Sequence, residues 1–154
     1  MEKKLNAKET KEKALRLLEF RAHSEKELRD KLRRAGAEDT DIDSTIEFLT
    51  EYRFLNDEKY AIAKAQDLAH LKKFGKKRIA SELKMRGIAS EYIDEALENI
   101  EIDERETLLL LVEKKLRGDF ERKSIDRTIR YFAAKGYRYE DIKACIETVR
   151  SEEF

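Results

Sequence analysis

Three glycines divide this chain into units that share one pattern. Gly36, Gly87 and Gly136 each stand four residues after a large apolar side chain: Leu32, Leu83 and Phe132. Each is followed at six residues by an isoleucine, Ile42, Ile93 and Ile142. Ile46, Leu97 and Ile146 come at ten, and Leu49, Ile100 and Val149 at thirteen. Steps of four and three residues put the later positions on one face of a helix. A glycine closing the run before them suits a helix stop in the left-handed conformation. Each unit therefore reads as a helix, a glycine-stopped helix, and a third helix. A repeat of this length implies modules that stack to bury their apolar faces.

Composition agrees with that reading. The 154 residues include no proline, so no position carries the roughly 3 kcal/mol penalty that proline imposes in a helix interior. The apolar share is 40% and the charged share 44%, which suits thin helical layers with wide solvated faces. The expected fold is all-α, an elongated and curved tandem array of three three-helix repeats. Residues 1–12 form a polar lead-in, 13–57 the first repeat, 58–103 the second, 104–150 the third and 151–154 a tail. Ser24-Glu25-Lys26-Glu27 is a capping box for the second helix. Asp39 or Asp41 can cap the third helix, Asn56 or Asp57 the fourth, and Ser90 the sixth. Leu108–Leu116 is apolar on all sides and should be the most enclosed segment.

The chain carries no formal net charge, so no global excess draws it to nucleic acid or anionic lipid. Locally the charge is polarised. Lys72, Lys73, Lys76, Lys77, Arg78, Lys84 and Arg86 face only Glu82 in their stretch, and an acidic run from Glu91 to Glu106 follows. The basic run is the candidate partner-binding site, meeting acidic protein surface or DNA phosphate. The competing reading is a pair of solvated helix faces.

Other chemistry fails on its spacing. Gly75-Lys76-Lys77 lacks both the upstream glycine and the hydroxyl residue of a phosphate loop. His23 and His70 are far apart, and Cys145 is the sole cysteine, so no metal set or intramolecular disulfide is expected. No catalytic residues and no cofactor are expected, and the chain does not read as an enzyme. It lacks a secretory leader pattern and an apolar run of bilayer length, which predicts a soluble protein without membrane contact. The segment Glu25–Arg53 also fits a helix-turn-helix. A DNA-binding or architectural module is thus the alternative, although duplex binders usually show a basic excess. A general helical scaffold for some other partner is a third possibility.

Ala14-Leu15-Arg16-Leu17-Leu18, Arg21, Ser24-Glu25-Lys26-Glu27-Leu28 and Leu32 together resemble the opening motif of the RecX family. Phe54-Leu55-Asn56-Asp57-Glu58-Lys59-Tyr60-Ala61 is similar to its second hallmark. Phe74-Gly75 through Ile79, Glu82-Leu83 and Arg86-Gly87-Ile88 is similar to its third. The resemblance spans about residues 13–150. Lys76 replaces a proline often found after the glycine of the third hallmark, and the basic excess of some relatives is missing. The resemblance implies a cytoplasmic, monomeric regulator that lies in the groove of the RecA–DNA filament. It further implies restraint of RecA ATP turnover, strand exchange and repressor cleavage, with at most weak binding to single- or double-stranded DNA.

Overall fold

The computed structural model describes residues 4–152, so the outer ends of the expected lead-in and tail, residues 1–3 and 153–154, lie outside the described part. The described residues form helices and connections, without strands. The helices are α1 (Ala7–Phe20), α2 (Glu25–Arg34), α3 (Asp39–Glu51), α4 (Asp57–His70), α5 (Lys76–Met85), α6 (Ser90–Glu98), α7 (Glu104–Leu116), α8 (Arg122–Ala134) and α9 (Tyr139–Glu152). The fold is all-α, in three successive helix triplets.

The repeating glycine has a specific geometric cause. Gly36, Gly87 and Gly136 have φ of 97°, 79° and 97°. After each, the next residue's N–H donates back to the apolar residue four before the glycine: Ala37 to Leu32, Ile88 to Leu83 and Tyr137 to Phe132. The glycine N–H itself donates to Arg33, Lys84 or Ala133. This pair of bonds is the Schellman stop, in which both bonded residues turn their side chains inward. The sequence pattern around each glycine thus encodes a helix end as well as a core.

The chain divides into two compact units, and the division runs through all three helices of the second repeat. One unit holds the residues up to Lys64 together with Leu83–Ala96. Its first three helices enclose Ala14, Leu28, Leu32, Ile42, Ile46 and Leu49. Asn6 and Ser24 form capping boxes with Glu9 and Glu27, so α1 starts six residues before the expected lead-in ends. The other unit holds Ala65–Glu82 and the residues from Leu97 onward. Leu108, Val112, Leu116, Phe132, Ile142, Ile146 and Val149 form its core, with the free Cys145 buried among them. Burial pushes that thiol up from its ordinary pKa, which suits a packing role.

Four details depart from the sequence reading. Neither Asp39 nor Asp41 caps α3. The stop at Gly36 leaves only two residues before the helix, Glu38 takes the cap position without a side-chain bond, and both aspartates fall in the first turn. Ser90 is the first residue of α6, so its hydroxyl is one place too late to cap it. Helix α6 ends at Glu98, which leaves Leu97 and Ile100 only half buried where their counterparts in the other repeats are buried. Leu110 is exposed, so α7 is not enclosed all round. Asn56 does cap α4, accepting from the Lys59 N–H at 3.1 Å.

Within each unit, one repeat is joined to the next by the same contact. The Ser24 hydroxyl donates to the Arg86 carbonyl at 2.7 Å, and the Gly75 N–H donates to the Lys135 carbonyl at 2.8 Å. Lys26 Nζ reaches the Met85 carbonyl at 3.2 Å, and Arg78 Nη1 reaches that of Ala134 at 3.0 Å. In both cases the start of a repeat's middle helix sits on the glycine stop of the repeat after it. Gly136 allows that approach: a Cβ there would lie 2.3 Å from Arg78 Cβ and 2.4 Å from its backbone nitrogen.

Candidate functional site

The second unit carries a groove of about 720 Å³ whose lining is strongly cationic. The turn after α4 supplies Lys72 and Lys73. The end of α7 supplies Lys114, Lys115 and Arg117, and α8 with its following turn supplies Arg127 and Lys135. Asp119 is the single carboxylate in the lining. Its charge is committed to local structure: the Ser124 hydroxyl donates to it at 2.6 Å and the Glu121 N–H at 3.1 Å, and together they hold its pKa below the usual range.

The helices explain why these cations meet. Arg127, Tyr131 and Lys135 recur at four-residue steps, so they form one stripe along and just beyond α8. Lys72 and Lys73 are fixed through their backbones. The Tyr137 hydroxyl donates to the Lys73 carbonyl at 2.8 Å, and Lys135 Nζ to that of Lys72 at 3.4 Å. Burial, with Glu104 adding its negative charge, pushes the Tyr137 hydroxyl up to about 12, so it stays a donor.

The groove differs from an ordinary solvated face in gathering cations from three walls around one carboxylate. Lys72, Lys73, Lys114 and Arg117 make no side-chain ion pair or hydrogen bond among the described residues, while the charge of Arg127 acts on Asp119. Elsewhere Arg21, Arg29, Arg33, Arg78, Arg138 and Arg150 lie against carboxylates, whereas Arg16, Arg34, Arg53, Arg122 and Arg130 make no such pair among the described residues. Lys73 and Arg117 have φ of 58° and 51°, and Arg53 of the other unit has 60°. That left-handed backbone costs a side-chain-bearing residue roughly 1–2 kcal/mol, and glycine little. All three follow helix ends, so the left-handed backbone belongs to helix termination and is not confined to the groove.

An aromatic ring lies among the charges. Tyr131 is 42% exposed, with Lys115 Nζ 4.0 Å and Lys135 Nζ 5.5 Å from its ring centroid. The buried Phe132 meets it edge to face at 5.0 Å.

Of the seven basic residues picked out in the sequence, only Lys72 and Lys73 line this groove. Lys76 opens α5, where its N–H donates to Glu104 at 3.4 Å, and Lys77 is exposed beside it. Arg78 is used inside the fold: it bonds the Ala134 carbonyl, pairs with Glu82 at 3.5 Å and covers the Phe74 ring at 4.1 Å. Lys84 and Arg86 belong to the other unit. With no acidic residue in its first turn, α5 begins on three cations that oppose its helix dipole. Sequence reasoning missed Lys114, Lys115, Arg117, Arg127, Tyr131 and Lys135. It weighed charge in a linear window, where acidic neighbours dilute the third repeat, and not along a helix face. The stripe on α8 was the available signal.

Neither a metal-holding group of side chains nor a helix long and apolar enough to cross a membrane is found among the described residues. The chain is thus a tandem three-helix-repeat protein whose repeats are defined by Schellman stops. The family descriptions "RecX, first three-helix domain" and "RecX, second three-helix domain" match residues 11–49 and 56–97. The regulatory protein RecX of Clostridium perfringens (strain 13 / Type A) is 35% identical over 150 residues, covering 94% of this chain and 70% of that protein. That of Vibrio campbellii (strain ATCC BAA-1116) is 34% identical over 136 residues, covering 86% of each. The crystal structure of RecX from Lactobacillus salivarius has the same fold, with a TM-score of 0.80, 24% identity and coverage of 93% of this chain and 96% of that one. The chain belongs to the RecX family of regulatory proteins.

Proposed function

We propose that this protein regulates a RecA recombinase by binding the RecA–DNA filament, and that it restrains ATP turnover, strand exchange and repressor cleavage. It acts as a monomer in the cytoplasm, needs no cofactor and catalyses nothing itself. Family membership supports the regulatory role, and the gathering of cations in one groove supports the choice of surface. The contact set comprises Lys72 and Lys73 with the groove cations, together with Lys76 and Lys77. Arg78 is left outside it by its internal contacts, and Lys84 and Arg86 by their position in the other unit.

The physical logic is avidity. Consecutive modules engaging neighbouring protomers raise each other's effective concentration, so weak single contacts add up to useful affinity. Free protomers offer no such run of sites, which makes the assembled filament the preferred target. Charge complementarity contributes mainly through faster association, and that benefit weakens as salt screens it. The direct test adds the protein to preformed RecA filaments on single-stranded DNA and follows ATP hydrolysis. Turnover should fall with protein concentration. Unchanged turnover at saturating protein would contradict the proposal, and tight salt-sensitive binding to naked duplex would favour a DNA-architectural module instead.

A further inference from the structure

We infer that the groove of the second unit is a single-strand site, in which an unpaired base stacks on Tyr131 while lysines on both walls hold the adjoining phosphates. This rests on the reading that the groove faces the nucleoprotein filament, and it names the component met there. The groove's cations alone would suit any polyanion. Tyr131 narrows the choice, because its half-exposed ring stands within the cationic lining. An acidic protein surface would use the charges and leave the ring idle. A duplex keeps its bases stacked on one another and cannot offer a face to it. A single strand supplies both partners, a π-face and a phosphate on each side, and every base can stack.

The geometry fits that occupant. Lys115 Nζ now covers the Tyr131 ring at 4.0 Å, and its flexible stem lets a base take that place while the ammonium moves to a neighbouring phosphate. Lys72 and Lys73 stand on another wall, their backbones fixed by Lys135 and Tyr137. The volume, about 720 Å³, falls within the range of clefts that enclose a ligand of a few rings.

The experiment uses the full chain and a fluorescein-labelled oligothymidine of about ten nucleotides, within the usual site range for stacking platforms. A hairpin duplex of matched charge and a polyglutamate of similar length serve as rival ligands, all followed by anisotropy across salt. Wild type should prefer the single strand to both. Tyr131→Ala should weaken single-strand binding roughly 5- to 150-fold, the range for one lost stacked base, and leave duplex binding unchanged; Tyr131→Phe should bind as wild type. The pair Lys114→Glu and Lys115→Glu should lower single-strand affinity and flatten its salt dependence. Helix content and thermal midpoint establish that each variant is folded. Single-strand binding by Tyr131→Ala at wild-type strength, or a preference for polyglutamate, would overturn the assignment. Assay of the same variants on RecA filaments separates the two readings. Lost oligonucleotide binding with retained ATPase inhibition upholds the single-strand site and removes its link to the filament. The reverse pattern overturns the site and leaves the filament reading standing.

Discussion

Lys73 and Arg117 put strained backbone and groove charge at the same residues. Both hold a left-handed backbone, and both line the cationic groove. Replacing either by glycine relieves the backbone while loosening the unfolded chain, so stability should stay level or rise by up to about 1 kcal/mol. Anion binding should weaken in the same variants. Denaturant midpoints beside oligonucleotide titrations check both halves, and a marked loss of stability would show that these side chains serve the fold. His23 illustrates the opposite use of a polar group. Its Nδ1–H donates to the Arg21 carbonyl at 2.9 Å, which leaves Nε2 to accept from Lys31 Nζ at 2.9 Å. Burial lowers its pKa below 6.5, and the charges of Arg21 and Lys31 add to that. The unfolded chain then takes up a proton that the folded chain refuses. The contribution is full above 6.5 and is lost as pH falls from there towards the lowered value. Unfolding midpoints should therefore drop as pH falls below 6.5, and His23→Asn should flatten that slope. Glu27 acts lower on the scale. Burial would raise its pKa, but bonds from Tyr60, the Ser24 amide and Arg21 bring it to about 2, so its contribution fades as pH falls from 4.5 towards 2.

At the scale of elements, the glycine stops were legible and the joints were not. Gly36 with Leu32, and its two counterparts, announces a helix end because the stop draws on residues within a few positions of one another. The joints connect residues 62 and 60 positions apart, Ser24 with Arg86 and Gly75 with Lys135, and no local periodicity reports on such pairs. The Ser24 capping box was read from sequence, yet its hydroxyl also serves the joint to Arg86, which spacing alone does not reveal. Helix α6 was misjudged for a related reason. The six-residue spacing to Ile93 holds, but the helix stops at Glu98, and Ile100 lines a small cleft beside Phe74, Ile79 and Tyr137. Gly136 offers the test of the joint itself. Gly136→Ala combines a disfavoured φ with a clash against Arg78 backbone, and should cost about 2–5 kcal/mol. Gly87→Ala meets side-chain atoms of Lys26 only and should cost less. Equal, small losses in chemical denaturation would show that the joint adapts.

Across the whole molecule, the fold class follows from three aligned glycines and the absence of proline, while the site depends on which charges the fold leaves unpaired. The sequence shows 34 basic and 34 acidic residues, and it cannot say which of them neutralise one another. Folding pairs Arg29 with Asp43 at 2.7 Å and Arg78 with Glu82 at 3.5 Å, yet brings Lys72, Lys73, Lys114 and Arg117 together without ion pairs among the described residues. That sorting moved the candidate surface from the basic run of the second repeat to a groove built largely by the third. The most direct measurement of the central claim is ATP hydrolysis by preformed RecA filaments, titrated at low and moderate salt with wild type and with a variant carrying Lys114→Glu and Lys115→Glu. The account predicts that wild type lowers turnover less effectively as salt rises, and that the folded variant needs at least about tenfold more protein, a difference of 1.4 kcal/mol. A folded variant that inhibits at wild-type concentrations at both salts would contradict it.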